Sequence, residues 1–131
     1  MMFLLDTDTL IYVLKGNPKV EENLRLHLHD PMFISTITMM ELYYGAYKSQ
    51  LVDANLAKLK ALENSFPLLS TGPETCETFG KLKARLEADG TRLDDLDLII
   101  ATIALANNLI LATNNQKHFS RIQGLKLTNW A

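Results

Sequence analysis

Met2-Phe3-Leu4-Leu5-Asp6-Thr7-Asp8-Thr9-Leu10 sets four apolar residues directly before two acids spaced two apart. A short unbroken apolar run is expected of a strand covered on both faces, as in a parallel sheet. The reading is therefore a strand over residues 2–5 with Asp6 at its carboxyl end. A carboxylate ending a buried strand is poorly placed unless something compensates its charge. Open parallel sheets bind ligands beyond the carboxyl ends of their strands, so Asp6 is a candidate site residue. Capping of the following helix is the competing explanation. It accounts for one acid, and the pair Asp6 and Asp8 leaves a surplus. For Asp8, capping and metal chemistry stand level.

Outward from this stretch, apolar runs alternate with helical patterns. Residues 9–15 have helical spacing, and Gly16-Asn17-Pro18 ends them. Pro18 suits the first turn of a helix over 18–29. Met32-Phe33-Ile34-Ser35 reads as a strand, with Thr36 or Thr38 as cap of a helix that carries Glu41. A Leu/Ala-rich helix spans 51–64, and residues 66–69 form a short strand whose Pro67 marks an edge or its start. Pro73 opens a helix that runs to Ala88 and stops at Gly90. Asp97 begins a strongly apolar helix through Asn107, residues 109–112 are a buried strand, and residues 125–127 a last edge strand. This alternation predicts an α/β fold with a mainly parallel sheet.

With 131 residues, 47% of them apolar, the chain can bury one core and too little for two, so a single domain over 1–131 is expected. A net charge of −2 gives no global signal for nucleic acid. Local basic groups exist at Lys81, Lys83 and Arg85 and at Lys117, His118 and Arg121, but on charge alone an ordinary solvated surface is the better explanation of them. Cys76 is the only cysteine, which excludes an intrachain disulfide and fits a reducing compartment. The start lacks a basic n-region, and the longest apolar stretch, Leu98 to Ala106, is about half a membrane span. A cytoplasmic protein with no membrane contact is the expectation.

Three acids on three segments draw attention. Besides Asp6, Glu41 lies in an otherwise apolar helix among Ile37, Met39, Met40, Leu42, Tyr43 and Tyr44. Thr38, one turn earlier, is on its face and within reach of the carboxylate. Gly45, one turn later, weakens the helix and so suggests room for a ligand or close backbone. Asp94, Asp95 and Asp97 crowd the start of the most apolar helix, where one acid would satisfy the dipole. Asp97 abuts Leu98-Ile99-Ile100-Ala101 and is the one expected to face inward. Thr113, Asn114 and Asn115 follow the 109–112 strand on the same rim. Carboxylates ~4 Å apart repel by roughly 1 kcal/mol in water and nearer ~4 kcal/mol in a cleft. A divalent cation turns that repulsion into binding. An oxygen-only donor set favours Mg²⁺ or Mn²⁺ over zinc.

Taken in order, Leu4-Leu5-Asp6-Thr7-Asp8-Thr9-Leu10-Ile11-Tyr12, Ser35-Thr36-Ile37-Thr38-Met39-Met40-Glu41-Leu42 with Tyr44-Gly45-Ala46, Asp97-Leu98-Ile99-Ile100-Ala101, Ala112-Thr113-Asn114-Asn115, His118-Phe119 and Ile122 to Trp130 span nearly the whole chain. In this combination the sequence resembles the PIN-domain nucleases, specifically the small VapC-type toxins of toxin–antitoxin pairs. The resemblance implies a three-layer α/β/α fold with a mainly parallel central sheet of four to five strands. It implies Asp6, Glu41 and Asp97 as metal ligands and Thr113 as the hydroxyl lining the site. Hydrolysis of RNA phosphodiesters by metal-activated water is the implied reaction, in a homodimer held in check by a cognate antitoxin. A basic residue of the antitoxin would sit among the acids. Many relatives carry a fourth acid where this chain has Asn115. Asn115 or Asp94 is the candidate replacement. Relatives often have Asn, Ser or Thr at the place of Asp8.

Two other readings compete. Asp6-Thr7-Asp8-Thr9-Leu10 also resembles the opening of haloacid-dehalogenase-like phosphatases, with Asp6 as nucleophile and Asp8 as acid/base. Ser35 or Thr36 would then bind phosphate and Asp94/Asp95 Mg²⁺, but no lysine stands at a strand end and Glu41 would be idle. The second is a PIN-like RNA- or partner-binding module whose catalytic site has decayed.

Overall fold

The computed structural model describes residues 1–131. Its strands are β1 (Phe3–Leu5), β2 (Met32–Ser35), β3 (Leu68–Leu69), β4 (Ile110–Ala112) and β5 (Leu127–Thr128). They form one five-stranded sheet in the order β3-β2-β1-β4-β5. Every pairing is parallel. The outer strands are two residues each, and Pro67, lacking an N–H, precedes the β3 edge as expected.

The helices are α1 (Thr7–Leu14), α2 (Pro18–Leu26), α3 (Thr36–Lys48), α4 (Val52–Ser65), α5 (Pro73–Ala88), α6 (Asp95–Ala106) and α7 (Gln116–Phe119). Strand period decides which helices lie where. Leu4 and Leu111 point into a core shared with Leu86 of α5 and Leu98, Ile100 and Ile103 of α6. Phe3, Leu5 and Ala112 point the other way, toward Leu10 of α1, Val20 of α2, Leu42 of α3 and Leu59 of α4. Both faces of the sheet are therefore covered, giving the three-layer α/β/α arrangement. No helix is long and apolar enough to cross a membrane.

Several local expectations change. Helix α1 begins at Thr7 instead of residue 9, because Asp6 caps it. Helix α2 ends at Leu26, short of residue 29, and α6 starts at Asp95, which leaves Asp97 inside its first turn. Neither Thr36 nor Thr38 caps α3; the buried Ser35 hydroxyl does, accepting from the Thr38 N–H at 3.0 Å. A side-chain cap of this kind contributes about 1 kcal/mol. Met39 fills the core, whereas the adjacent Met40 is exposed. The His27 ring stacks on Trp130 at 5.4 Å. Trp130 itself is buried against Phe3, which anchors this end of the chain.

Candidate active site

The sheet order puts strands on both sides of β1, so the chain reverses direction of winding beside it, and a crevice opens between β1 and β4 at their carboxyl ends. Leu5 pairs with Ala112, which brings the next residues, Asp6 and Thr113, side by side. Asp6 is only 5% exposed. Its Oδ2 accepts from the Thr113 hydroxyl at 2.7 Å and its Oδ1 from the Thr7 N–H at 2.8 Å. The capping and functional explanations for Asp6 thus coexist. Capping occupies one oxygen's bond and leaves the buried charge uncompensated.

Glu41 reaches the same rim from the second turn of α3. The expected bond from Thr38 is absent; the donor is the Thr7 hydroxyl, 2.8 Å from Glu41 Oε1. Thr38 instead lies behind Thr7, with the two hydroxyl oxygens 3.1 Å apart. Gly45 has no close backbone beside it, since an added Cβ would meet nothing within 4 Å. It faces an open groove of about 470 Å³ between α1, α3 and α4, lined in part by Thr7, Ile11, Leu14, Glu41 and Leu42. The room beside Glu41 is real, and the glycine is not forced.

Asp97 approaches from α6 and is half-buried, with Oδ2 3.1 Å from His118 Nε2. Asp8 Oδ2 accepts from the Asn114 N–H at 3.1 Å and fastens α1 to the loop after β4. Asp94 is exposed at the α6 cap position and makes no side-chain capping bond. Asn115 is also exposed; its N–H donates to the Thr113 hydroxyl at 3.0 Å. Asp95 turns away to Lys83 at 3.0 Å, which accounts for one of the basic residues noted above.

These acids feel one another. Asp6 titrates near pH 7 instead of 3.8, chiefly because it is buried and next because Asp8 is close, with Asp97 adding to the effect. The bonds from Thr113 and Thr7 only partly oppose this. Glu41 is raised by burial, against the Thr7 bond, with Asp97 and Asp94 pushing the same way. Asp97 is raised by burial, against the neighbouring His118, with Asp94 and Asp8 contributing. Asp8 is raised by burial, against its hydrogen bonds to the Asn114 and Thr9 backbone. No lysine or arginine forms an ion pair with Asp6, Asp8, Glu41, Asp94 or Asp97. The five acids form a field of one sign, and His118 is the one basic side chain in contact with it.

The acids are gathered without being closed: no three His, Cys, Asp or Glu side chains stand together as a ready-made ion cage. Each of the three principal acids is tied off on a neutral or histidine partner, while Glu41 Oε2 and Asp97 Oδ1 make no hydrogen bond. Oxygen donors, uncompensated charge and free lone pairs suit a hard dication. Because Asp6 holds a proton below about pH 7, such an ion must displace it there. Mn²⁺ affinity is expected to fall by up to about tenfold per pH unit below 7, with a plateau above 8, when followed by calorimetry.

A PIN-domain family model matches residues 3–125. The chain belongs to the PIN-domain family, among its VapC ribonucleases. The tRNA(fMet)-specific endonuclease VapC of Shigella flexneri is 34% identical over 132 residues, covering 100% of this chain and 99% of the relative. Ribonuclease VapC2 of Haemophilus influenzae is 35% identical, covering 99% and 98%. Among solved structures, a chain of VapBC2 from Rickettsia felis, bound to a promoter DNA fragment, superposes with a TM-score of 0.94 at 33% identity, all of both chains being covered. DNA-bound VapBC from Salmonella typhimurium gives 0.93 at 34% identity, covering 100% and 99%. Ribonucleases of this family generally depend on a divalent metal. Membership sets aside the haloacid-dehalogenase-like phosphatase, and Asp8 tied to Asn114 agrees with that.

Two residues of this site escaped the sequence reading. Thr7 stands inside the opening motif, and the one available signal was its place between two acids at a helix start. His118 is expected near the rim, capping or packing and within reach of RNA; its meeting with Asp97 depends on how α6 and α7 pack, which no local pattern encodes.

Proposed function

We propose that this protein is an endoribonuclease toxin whose Asp6, Glu41 and Asp97 hold Mg²⁺ or Mn²⁺ for hydrolysis of RNA phosphodiesters. The observation that carries this reading is a buried acid at the sheet's carboxyl end, within electrostatic reach of other acids and paired with no cation. A bound dication supplies charge against the phosphate and lowers the pKa of an attacking water. The chain's own groups do the rest. Thr113 and the Thr7 N–H fix both oxygens of Asp6. Asp8 holds the loop that presents Thr113, and Asp94 adds negative potential at the rim. Asn115 sets the Thr113 hydroxyl through its N–H, leaving its amide oxygen exposed as a neutral donor. No carboxylate is needed as a nucleophile.

The cognate antitoxin is the proposed inhibitor, acting in the cytoplasm. The groove beside Glu41 offers Ile11, Leu14, Leu42 and Leu59 to an apolar segment. A lysine or arginine carried by that segment would reach the acids and replace the cation's charge. The exposed Met40, Tyr44 and Tyr47, at 57%, 66% and 66%, lie along one face of α3 and suit a second copy in a homodimer.

The test is cleavage of defined RNAs by the purified chain, with the ends mapped. Initiator tRNA comes first, as the substrate named for the Shigella relative. Discrete cuts are expected with Mg²⁺ or Mn²⁺, none with EDTA, and recovery on adding excess metal. Cutting that persists in EDTA would remove the metal from the reading.

A further inference from the structure

Thr7 contacts two of the three acids at once. Its N–H donates to Asp6 Oδ1 and its hydroxyl to Glu41 Oε1, each at 2.8 Å. These carboxylates belong to different parts of the chain, one ending β1 and the other on α3, 34 residues from Thr7. We propose that Thr7 is the positioning residue that sets Glu41 relative to Asp6. This rests on the metal-dependent nuclease reading above.

The rotor of Thr7 is itself held. A hydroxyl has one proton to give, and the carboxylate is the stronger acceptor. With that proton on Glu41, the Thr38 hydroxyl, 3.1 Å away, is left to donate to the Thr7 oxygen. Thr38 is fully buried, has no other hydroxyl partner, and is fixed by its place in the first turn of α3, where its N–H meets Ser35. A β-branched side chain with both hydroxyl bonds made has little freedom at χ1. Glu41, by contrast, has three rotatable side-chain bonds, and Thr7 is the only side chain that hydrogen-bonds its carboxylate. Oε1 is thereby anchored, and Oε2 is left for the ion. Partners of this kind around ligating carboxylates typically change metal affinity 10–100-fold when removed.

The decisive variants are Thr7→Val, which keeps shape and the N–H but loses the hydroxyl, and Thr7→Ser, which restores the hydroxyl. Thr7→Ala replaces the valine variant if that one fails to fold. Mn²⁺ binding by calorimetry without RNA is the first readout, and single-turnover cleavage the second. Thr7→Val is expected to bind Mn²⁺ about 10–100-fold more weakly and to lose rate at saturating RNA with KM little changed. Thr7→Ser is expected within about threefold of wild type, because the bond it restores is the one that matters. Wild-type affinity in Thr7→Val, or a serine variant as weak as the valine one, would overturn the positioning role and leave the nuclease reading standing. Failure of the wild-type protein to bind Mn²⁺ would overturn both.

Discussion

Asp6→Asn is expected to lower RNA cleavage by about a thousandfold or more and, in the same molecule, to make the metal-free protein more stable at pH 8. The loss follows from the role proposed for Asp6: a ligand that helps supply several kcal/mol of charge stabilisation at the phosphate is worth about 10³ or more in rate. The gain follows from burial. A carboxyl displaced from 3.8 to about 7 carries up to about 4 kcal/mol against its ionised form in the fold. The protonated acid is favoured by folding, so its stability is fully present below pH 4, declines as pH rises toward 7, and is lost above that. Asparagine has no such charge, yet it is still a buried amide that must share its bonds with Thr7 and Thr113. A net gain of about 2 kcal/mol at pH 8, passing through zero and becoming a loss of about 2 kcal/mol near pH 4, is therefore expected in urea unfolding. Stability unchanged at pH 8 would mean that Asp6 is not a strained charge.

Saturating Mn²⁺ is expected to reverse that penalty in the wild-type protein. At a concentration 100 times its dissociation constant, an ion bound only by the folded state adds about 2.7 kcal/mol, or roughly 10 °C in melting temperature for a domain of this size. Asp6→Asn and Asp97→Asn should each lose most of that shift, since each removes a charge from the field that attracts the ion. EDTA should return the wild type to its lower melting point. Equal shifts in wild type and both variants would place the ion elsewhere.

The contrast between what was legible and what was not has a physical origin. Strands β1, β2 and β4 announced themselves because burial on both faces leaves unbroken apolar runs. Their carboxyl ends followed, and with them Asp6 and Thr113. Glu41 and Asp97 were visible as acids out of keeping with apolar helices. Hydrogen-bond partners were a different matter. Thr38 was given the bond to Glu41 because it is one turn away on the same helix, whereas the donor is Thr7 on another helix. Thr36 and Thr38 were given the cap that Ser35 makes, an error of one residue in where strand gives way to helix. Met40 has the apolar character of a core residue, yet the packing of α3 leaves it outside. Periodicity reports which face of an element is buried, and it carries no information about which distant side chain arrives there.

Anomalous diffraction from a crystal of the wild-type protein grown with Mn²⁺ is the most direct test of the central claim. One manganese peak is expected between α1, α3 and α6, within coordination distance of oxygens of Asp6, Glu41 and Asp97 and with the Thr7–Glu41 bond kept. A site without manganese, or a manganese touching none or only one of those three carboxylates, would contradict it.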